Sequence, residues 1–206
     1  RFFLSIISFS FVVYMIPGLF GAELRGISVI LPPKEIQKFD LTRKSSLDQE
    51  SAIIPGIKTE NSLCVSPKYS DILHLPHGLE GYFVYEEALA CAKKLNKPLF
   101  IDFVGHSCTN CKKMYNKVWS DTEVLDILKN DFVIAALYVD DKTKLPQSEW
   151  ITSAYDGKVK KTIGKKNADF QLSKFKSNAL PLYAIVDHKE NLLTGKTYTY
   201  DKNVGN

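Results

Sequence analysis

Residues 100–114, FIDFVGHSCTNCKKM, place a Cys-x-x-Cys motif directly after a short apolar run. The run, residues 99–104, is nearly continuous in apolar residues, which is typical of a strand buried on both faces. A helix is predicted to begin near Cys108. Because the free N–H groups and positive dipole end of a helix N-terminus favour thiolate over thiol, the sequence predicts a redox-active cysteine pair here.

The two cysteines are predicted to have different roles. Cys108 is expected at the exposed helix tip, where it attacks a partner disulfide, and Cys111 one turn inside, where it resolves the mixed disulfide. Asp102 lies within the predicted strand. Because burying an ionised carboxylate is expensive, its pKa should rise or it should find a partner, and it could then take the proton from Cys111. The alternative is an aspartate that reaches solvent or a backbone donor.

The sequence around the motif alternates between helix and strand patterns over residues 79–206, which predicts an α/β fold. Apolar residues at positions 84, 88, 91 and 95 share one face of a helix that Pro98 ends. Ser120 and Glu123 form a predicted capping box for a further helix. The other predicted elements are a buried strand at 132–139, a helix at 167–176, and strands at 182–187 and 192–198 that a turn at 188–191 joins.

The composition is that of an ordinary globular protein. Of the 206 residues, 45% are apolar and 24% charged, which excludes a chain that is disordered throughout. The net charge of +4, from 27 basic and 23 acidic residues, is mild, so no nucleic-acid partner is predicted. A lysine-rich stretch at residues 158–166 is interpreted as a solvated insert.

The N-terminal residues 2–22 contain no charged side chain. In a helix rising ~1.5 Å per residue they would span about 30 Å, the thickness of a bilayer core, so we predict a transmembrane helix at residues 1–22. The alternative is a signal peptide cut after Ala22, which the bulky Phe20 disfavours. Residues 23–78 carry turn residues and no long periodic run, and are predicted to be a linker.

A metal site is the competing interpretation of the Cys-x-x-Cys motif. Zinc would need two further ligands, and the nearby sequence supplies only His106. Capture of copper by the two thiolates is a weaker alternative. Cys91, on the apolar helix face, is expected to be a buried thiol, and Cys64, in the linker, a free one. No cofactor and no metal are predicted.

Several of these features together resemble the thioredoxin fold: the strand, the Cys-x-x-Cys helix, an aspartate six residues before the first cysteine, and Pro181 before a later strand. The run GHSCTNCKKM, followed by VWSDTEVLDILKNDFVIAALYVDDKTKLP, is similar to the C-terminal thioredoxin-like domain of the membrane thiol:disulfide interchange protein DsbD, a cytochrome c biogenesis family. The segment IPGLFGAEL resembles the end of that family's last transmembrane helix.

The resemblance implies a central mixed sheet flanked by helices and a membrane-tethered thiol:disulfide oxidoreductase of the bacterial inner membrane. Family members pass electrons from cytoplasmic thioredoxin through a membrane domain of the same chain to a thioredoxin-like domain in the periplasm. That domain reduces periplasmic partners, including disulfide isomerases and cytochrome c maturation factors. The lipid bilayer and these proteins are therefore the expected partners.

The resemblance also assigns site residues. Cys108 and Cys111 are the exchanging pair, Asp102 is the buried acid, and Pro181 is a cis-proline facing the sulfurs. The dipeptide between the cysteines, Thr109-Asn110, replaces the usual Gly-Pro, so a reduction potential does not carry over. The C-terminal helix of the fold is expected to be truncated.

Two alternatives remain from the sequence. One is a single-span anchored thioredoxin dedicated to cytochrome c maturation. The other is a redox-silent or metal-binding thioredoxin-like module.

Overall fold

The computed structural model describes residues 2–19 and residues 63–201. Phe2–Leu19 form helix α1, in which the side chains of residues 2–13 are exposed. Within the two described stretches, no helix combines the length and the hydropathy needed to cross a membrane. Most of the predicted linker, residues 23–62, lies outside the described residues.

A four-stranded mixed sheet forms the centre of the second stretch. Its strands are β1 (Leu99–Val104), β2 (Val133–Tyr138), β5 (Leu182–Val186) and β6 (Tyr198–Thr199), in the order β2-β1-β5-β6. β1 pairs in parallel with β2 and antiparallel with β5, so the strand that leads into the Cys-x-x-Cys motif has a neighbour on both sides. This confirms the predicted mixed sheet and the bounds of the first strand.

Two helices, α2 (Tyr85–Leu95) and α5 (Ile163–Phe175), pack on one face of the sheet. β1 supplies three buried side chains to this face, Leu99, Ile101 and Phe103, at the two-residue period of a strand. The predicted helix before Pro98 is confirmed. The helix predicted at 167–176 begins four residues earlier, where the Thr162 hydroxyl caps it by accepting from the Lys165 N–H.

The opposite face is covered by α3 (Thr109–Met114), a π-helical turn (Tyr115–Trp119) and α4 (Thr122–Asp131). The predicted Ser120 capping box is wrong by one residue, because the Asp121 carboxylate caps α4 instead. The Ser120 hydroxyl donates to the carbonyl of the preceding turn, at Asn116, and is not available as a cap.

The predicted strand at 192–198 is wrong over most of its length, because Leu192 makes one isolated bridge to Val186 and regular pairing resumes only in β6. A positive φ angle at Gly195 interrupts the extended chain between Leu192 and β6. A small hairpin pairs β3 (Ile151–Thr152) with β4 (Val159–Lys160), which lies in the lysine-rich stretch, and this hairpin was not predicted. The predicted truncated C-terminal helix lies outside the described residues.

Residues 63–78, the end of the predicted linker, pack on the domain. Leu73 is buried with Phe83 and Leu145, and Cys64 forms a disulfide with Cys91 of α2, with 5.5 Å between their Cα atoms. The expectation of a free Cys64 and a buried Cys91 thiol is wrong. The sequence pattern placed Cys91 correctly on the buried face of α2, and the tertiary path of residues 63–78 brings Cys64 to it.

Replacing Cys64 and Cys91 together by alanine should destabilise the domain. The bond closes a loop across a sequence separation of 27, so its loss frees the unfolded chain and should cost about 3.5 kcal/mol. Urea unfolding monitored by tryptophan fluorescence measures the change.

The matched control is the Cys108→Ala, Cys111→Ala pair, whose separation is only 3. Because this loop is short, the control variant should lose less than half as much unfolding free energy, about 1.5 kcal/mol. Equal losses of unfolding free energy in the two double variants, or no loss in the Cys64→Ala, Cys91→Ala variant, would contradict a stabilising role for the Cys64–Cys91 disulfide.

Candidate active site

The Cys-x-x-Cys motif lies where β1 leaves the sheet and α3 begins. Cys108 is the N-cap of α3, and its Sγ accepts a hydrogen bond from the Cys111 N–H at 3.1 Å. The two cysteines form a disulfide, with their Cα atoms 5.3 Å apart. Cys108 is partly exposed, whereas Cys111 is fully buried. Of the two sulfurs, only that of Cys108 is open to an incoming protein.

The loop that joins β1 to Cys108 is held by two aspartates that follow β2. Asp140 accepts the backbone N–H groups of His106 at 2.9 Å and Ser107 at 3.3 Å. The His106 Nε2 lies 2.9 Å from Asp141 Oδ2. Burial would raise the pKa of Asp141, but hydrogen bonds from His106 and Thr143 outweigh it and hold that pKa below its usual range. The loop therefore has a fixed path into the motif.

The acidic pair also meets the start of α5. A Cβ built on Gly164 would lie 2.6 Å from the backbone nitrogen of Asp141, so only glycine allows this close approach. Sequence analysis missed the function of Asp140 and Asp141. The available signal was their place directly after β2, because the carboxyl ends of parallel neighbouring strands meet at one edge of the sheet.

Asp102 points from β1 to the face covered by α3 and the π-helical turn. It is completely buried, its Oδ2 accepts a hydrogen bond from the Tyr115 hydroxyl, and its Oδ1 has no partner among the described residues. Burial raises the pKa of Asp102 to about 7, although the Tyr115 hydrogen bond opposes the rise. The solvent-exposed alternative for this residue is therefore excluded.

Tyrosine and tryptophan side chains surround the carboxyl group. The rings of Tyr115 and Trp119 lie 4.6 Å apart, and Tyr183 stands opposite Asp102 in the register of β5. Burial, and then the neighbouring Asp102 carboxylate, raises the pKa of both Tyr115 and Tyr183. Sequence analysis missed Tyr115, because no local pattern marks a π-helical turn or shows which side chain will meet a buried acid.

Pro181 immediately precedes β5 and lies at the same end of the sheet as the motif, because Phe103 near the end of β1 is paired with Leu182. The Leu180–Pro181 peptide bond is cis, the isomer that the resemblance implied, and Pro181 is buried. The Gln171 side chain of α5 donates to the Ala179 carbonyl at 2.8 Å and holds this loop. The fold thus brings Cys108, Cys111 and Pro181 to one end of the sheet.

Among the described residues, no group of three or more His, Cys, Asp or Glu side chains is arranged to hold a metal ion. The roles predicted for Cys108, Cys111, Asp102 and Pro181 concern reaction steps, and they stay predictions at this point.

The chain is similar to known proteins over its second part. A family profile described as thioredoxin-like matches residues 82–188. No curated protein matches the chain.

Solved structures similar to this chain include an oxidoreductase, a disulphide isomerase and a thioredoxin. A DsbH oxidoreductase shares 17% identity at a TM-score of 0.44, with 64% of this chain and 81% of that chain covered. A disulphide isomerase from Xylella fastidiosa Temecula1 shares 15% identity at a TM-score of 0.38, covering 58% and 77%. A thioredoxin from Thermus thermophilus shares 22% identity at a TM-score of 0.35, covering 52% and 63%.

The raised pKa of Asp102 predicts a stability that falls as pH rises. The folded chain holds the Asp102 proton up to about pH 7, whereas the unfolded chain loses it near pH 4. The contribution of this proton to the free energy of unfolding is therefore complete below pH 4 and lost by pH 7. The three-unit window corresponds to about 4 kcal/mol.

Urea unfolding of the oxidised chain between pH 4 and pH 8 measures this, with Asp102→Asn as the matched variant that cannot titrate. As pH rises across that range, the free energy of unfolding of the wild type should fall by about 4 kcal/mol relative to that of the variant. A difference that stays constant with pH would contradict a raised pKa.

Proposed function

The chain belongs to the thioredoxin-like family, and we propose that it is a thiol:disulfide oxidoreductase that reduces disulfides of partner proteins through Cys108 and Cys111. The observation that carries this proposal is the unequal exposure of two bonded sulfurs at the start of one helix. Cys108 is partly exposed and Cys111 is fully buried. A partner sulfur can reach Cys108, and Cys111 can then displace it.

The proposed reaction has two exchange steps. The Cys108 thiolate attacks one sulfur of a partner disulfide, which forms a mixed disulfide and releases the other partner sulfur as a thiolate. Cys111 loses its proton, its sulfur attacks Cys108, and the remaining partner sulfur leaves as a thiolate. The partner gains two electrons and the Cys108–Cys111 pair loses two. The Cys111 N–H, which donates to Cys108 Sγ, stabilises the attacking thiolate.

Asp102 is proposed as the group that takes the Cys111 proton. Its carboxyl group is buried on the face of the sheet that α3 covers, and burial raises its pKa to about 7. An acid with that pKa exchanges protons readily at neutral pH, which is the property that a general base needs. An ordinary aspartate would be a much weaker base.

We infer that the reaction takes place outside the cytoplasm. A structural disulfide such as Cys64–Cys91 persists in oxidising compartments and is rare in the cytosol. Cys91 is buried in the core cluster and Cys64 is partly buried, so this pair is shielded while Cys108 is open. One disulfide can therefore stay closed while the other turns over.

The resemblance to DsbD supports a more specific form of the proposal. In that form, residues 1–22 anchor the chain in the bacterial inner membrane and residues 79–206 face the periplasm. A membrane domain of the same longer chain supplies the electrons. The partners are periplasmic proteins with disulfides, including isomerases and cytochrome c maturation factors, and no cofactor or nucleic acid takes part.

Replacing Cys111 by serine should trap partner proteins on Cys108, because a serine hydroxyl cannot resolve the mixed disulfide. Full-length Cys111→Ser protein, mixed with a periplasmic extract, is expected to hold at least about tenfold more disulfide-linked protein than Cys108→Ser protein. Non-reducing electrophoresis with mass spectrometry measures the adducts.

The Cys64→Ser, Cys91→Ser, Cys111→Ser triple variant is the second control and should trap the same partners. Equal trapping by the Cys108→Ser protein would contradict the assignment of Cys108. So would no trapping by Cys111→Ser protein whose Cys108 is readily alkylated.

A further inference from the structure

We propose that Tyr115 is a positioning residue for the resolving step: its hydroxyl holds Asp102 Oδ2, which leaves Oδ1 as the oxygen that receives the Cys111 proton. This inference rests on the proposed function, because it assigns a role within that reaction. It rests on a hydrogen bond, on the complete burial of Asp102, and on Oδ1, which has no partner among the described residues.

The hydroxyl of Tyr115 and the carboxyl of Asp102 form a closed buried contact. Tyr115 donates to Oδ2, while Oδ1 has no partner among the described residues. The carbonyl-type oxygen of a protonated acid is its better acceptor, so the acid best keeps a hydroxyl's hydrogen bond when its own proton sits on the other oxygen. Proton uptake at Oδ1 therefore leaves the Tyr115 contact intact.

Three contacts fix Tyr115 in place, two with other elements and one with Trp119 of its own π-helical turn. Its hydroxyl binds Asp102 of β1, and its ring lies 4.6 Å from that of Trp119. Its backbone carbonyl lies 2.8 Å from Nε2 of His77, in the segment before α2. Tyr115 is also the first residue of the π-helical turn, a distortion that is often found at functional sites. The hydroxyl, the ring and the backbone of Tyr115 are therefore all held in place.

The other titratable groups around Asp102 do not replace this contact. Tyr183 from β5 and Tyr138 from β2 both interact with the carboxylate electrostatically. The Tyr138 hydroxyl, however, donates to the His74 carbonyl, and the buried Tyr183 hydroxyl has no hydrogen-bond partner in the part of the chain that the structure describes. Burial is the largest influence on Asp102 and the Tyr115 hydrogen bond is the influence that opposes it. Tyr115 alone therefore favours the ionised carboxyl that accepts a proton.

The proton step balances within these groups. The proton of the Cys111 thiol moves to Asp102 Oδ1, the Cys111 sulfur bonds to Cys108 Sγ, and the bond between Cys108 and the partner sulfur breaks. The partner leaves as a thiolate, and the protonated Asp102 returns its proton to solvent or to that thiolate. Without the Tyr115 hydroxyl, Asp102 would be mostly protonated at neutral pH, and the step would need a higher pH.

The test compares Tyr115→Phe with Tyr183→Phe in the full chain. Both changes remove one buried hydroxyl next to Asp102 and keep the ring, but only Tyr115 donates to the carboxyl. A hydrogen bond to a charged group contributes about 1.5–3 kcal/mol, so the Asp102 pKa should rise by about 1–2 units in Tyr115→Phe. It should change by only a few tenths in Tyr183→Phe. Carbon NMR titration of the Asp102 carboxyl in the oxidised chain measures both.

The same variants are then tested for the resolving step. Protein reduced at Cys108 and Cys111 is mixed with 5,5′-dithiobis(2-nitrobenzoate), which releases one coloured thiol when Cys108 attacks and a second when Cys111 resolves. The pH midpoint of the second release should move upward by about 1–2 units in Tyr115→Phe and stay in place in Tyr183→Phe.

The outcomes separate this inference from the function on which it rests. If wild type gives both releases and Tyr115→Phe has the wild-type midpoint and Asp102 pKa, the positioning role is overturned while the function stands. Equal shifts in both tyrosine variants overturn it as well. If wild type gives no second release, the proposed function fails, and the proton step fails with it.

Discussion

The burial of one carboxyl group in the central strand is the constraint on which the site depends. Asp102 has no exposed surface, and one of its oxygens has no partner within residues 63–201, so its ionised form is disfavoured by the fold itself. The fold tolerates this cost because β1 has hydrogen-bonded neighbours on both sides and cannot turn the side chain outward. The Tyr115 contact then limits how far the pKa rises. The result is an acid that can gain and lose a proton near neutral pH.

The chain holds two disulfides that the structure places in opposite situations. Cys64–Cys91 joins the segment before the sheet to the buried face of α2 and closes a long loop. Cys108–Cys111 closes a short one at the open end of the sheet, on a loop that Asp140 fixes. The situation of Cys64–Cys91 is that of a disulfide that stays oxidised and stabilises the domain. The situation of Cys108–Cys111 is that of a disulfide that is reduced and reoxidised during exchange. Their coexistence is the basis for placing the proposed reaction in an oxidising compartment.

Local patterns predicted the parts of the fold that local physics decides. The apolar run of β1, the helical face of α2 and the start of a helix at Cys108 all follow from spacing along the chain, and all are present. The wrong predictions concern features that depend on contacts between residues distant in the sequence or on neighbouring turns. Asp121 displaced Ser120 as a cap because Ser120 still belongs to the preceding turn. The partner of Cys91 could not be predicted because it depends on the path of a segment without a periodic pattern. Tyr115 was missed because its contact with Asp102 joins two elements.

The reduction potential of the Cys108–Cys111 pair tests the central claim most directly. Full-length protein is equilibrated across glutathione and dithiothreitol buffers and alkylated, and the peptides with Cys108 and Cys111 are followed separately from those with Cys64 and Cys91. We expect a two-electron transition at about −270 to −200 mV, the range of reducing thioredoxin-type pairs. A potential of about −120 mV would make the chain an oxidant and reverse the direction of electron flow. The absence of any two-electron transition would contradict the redox function itself.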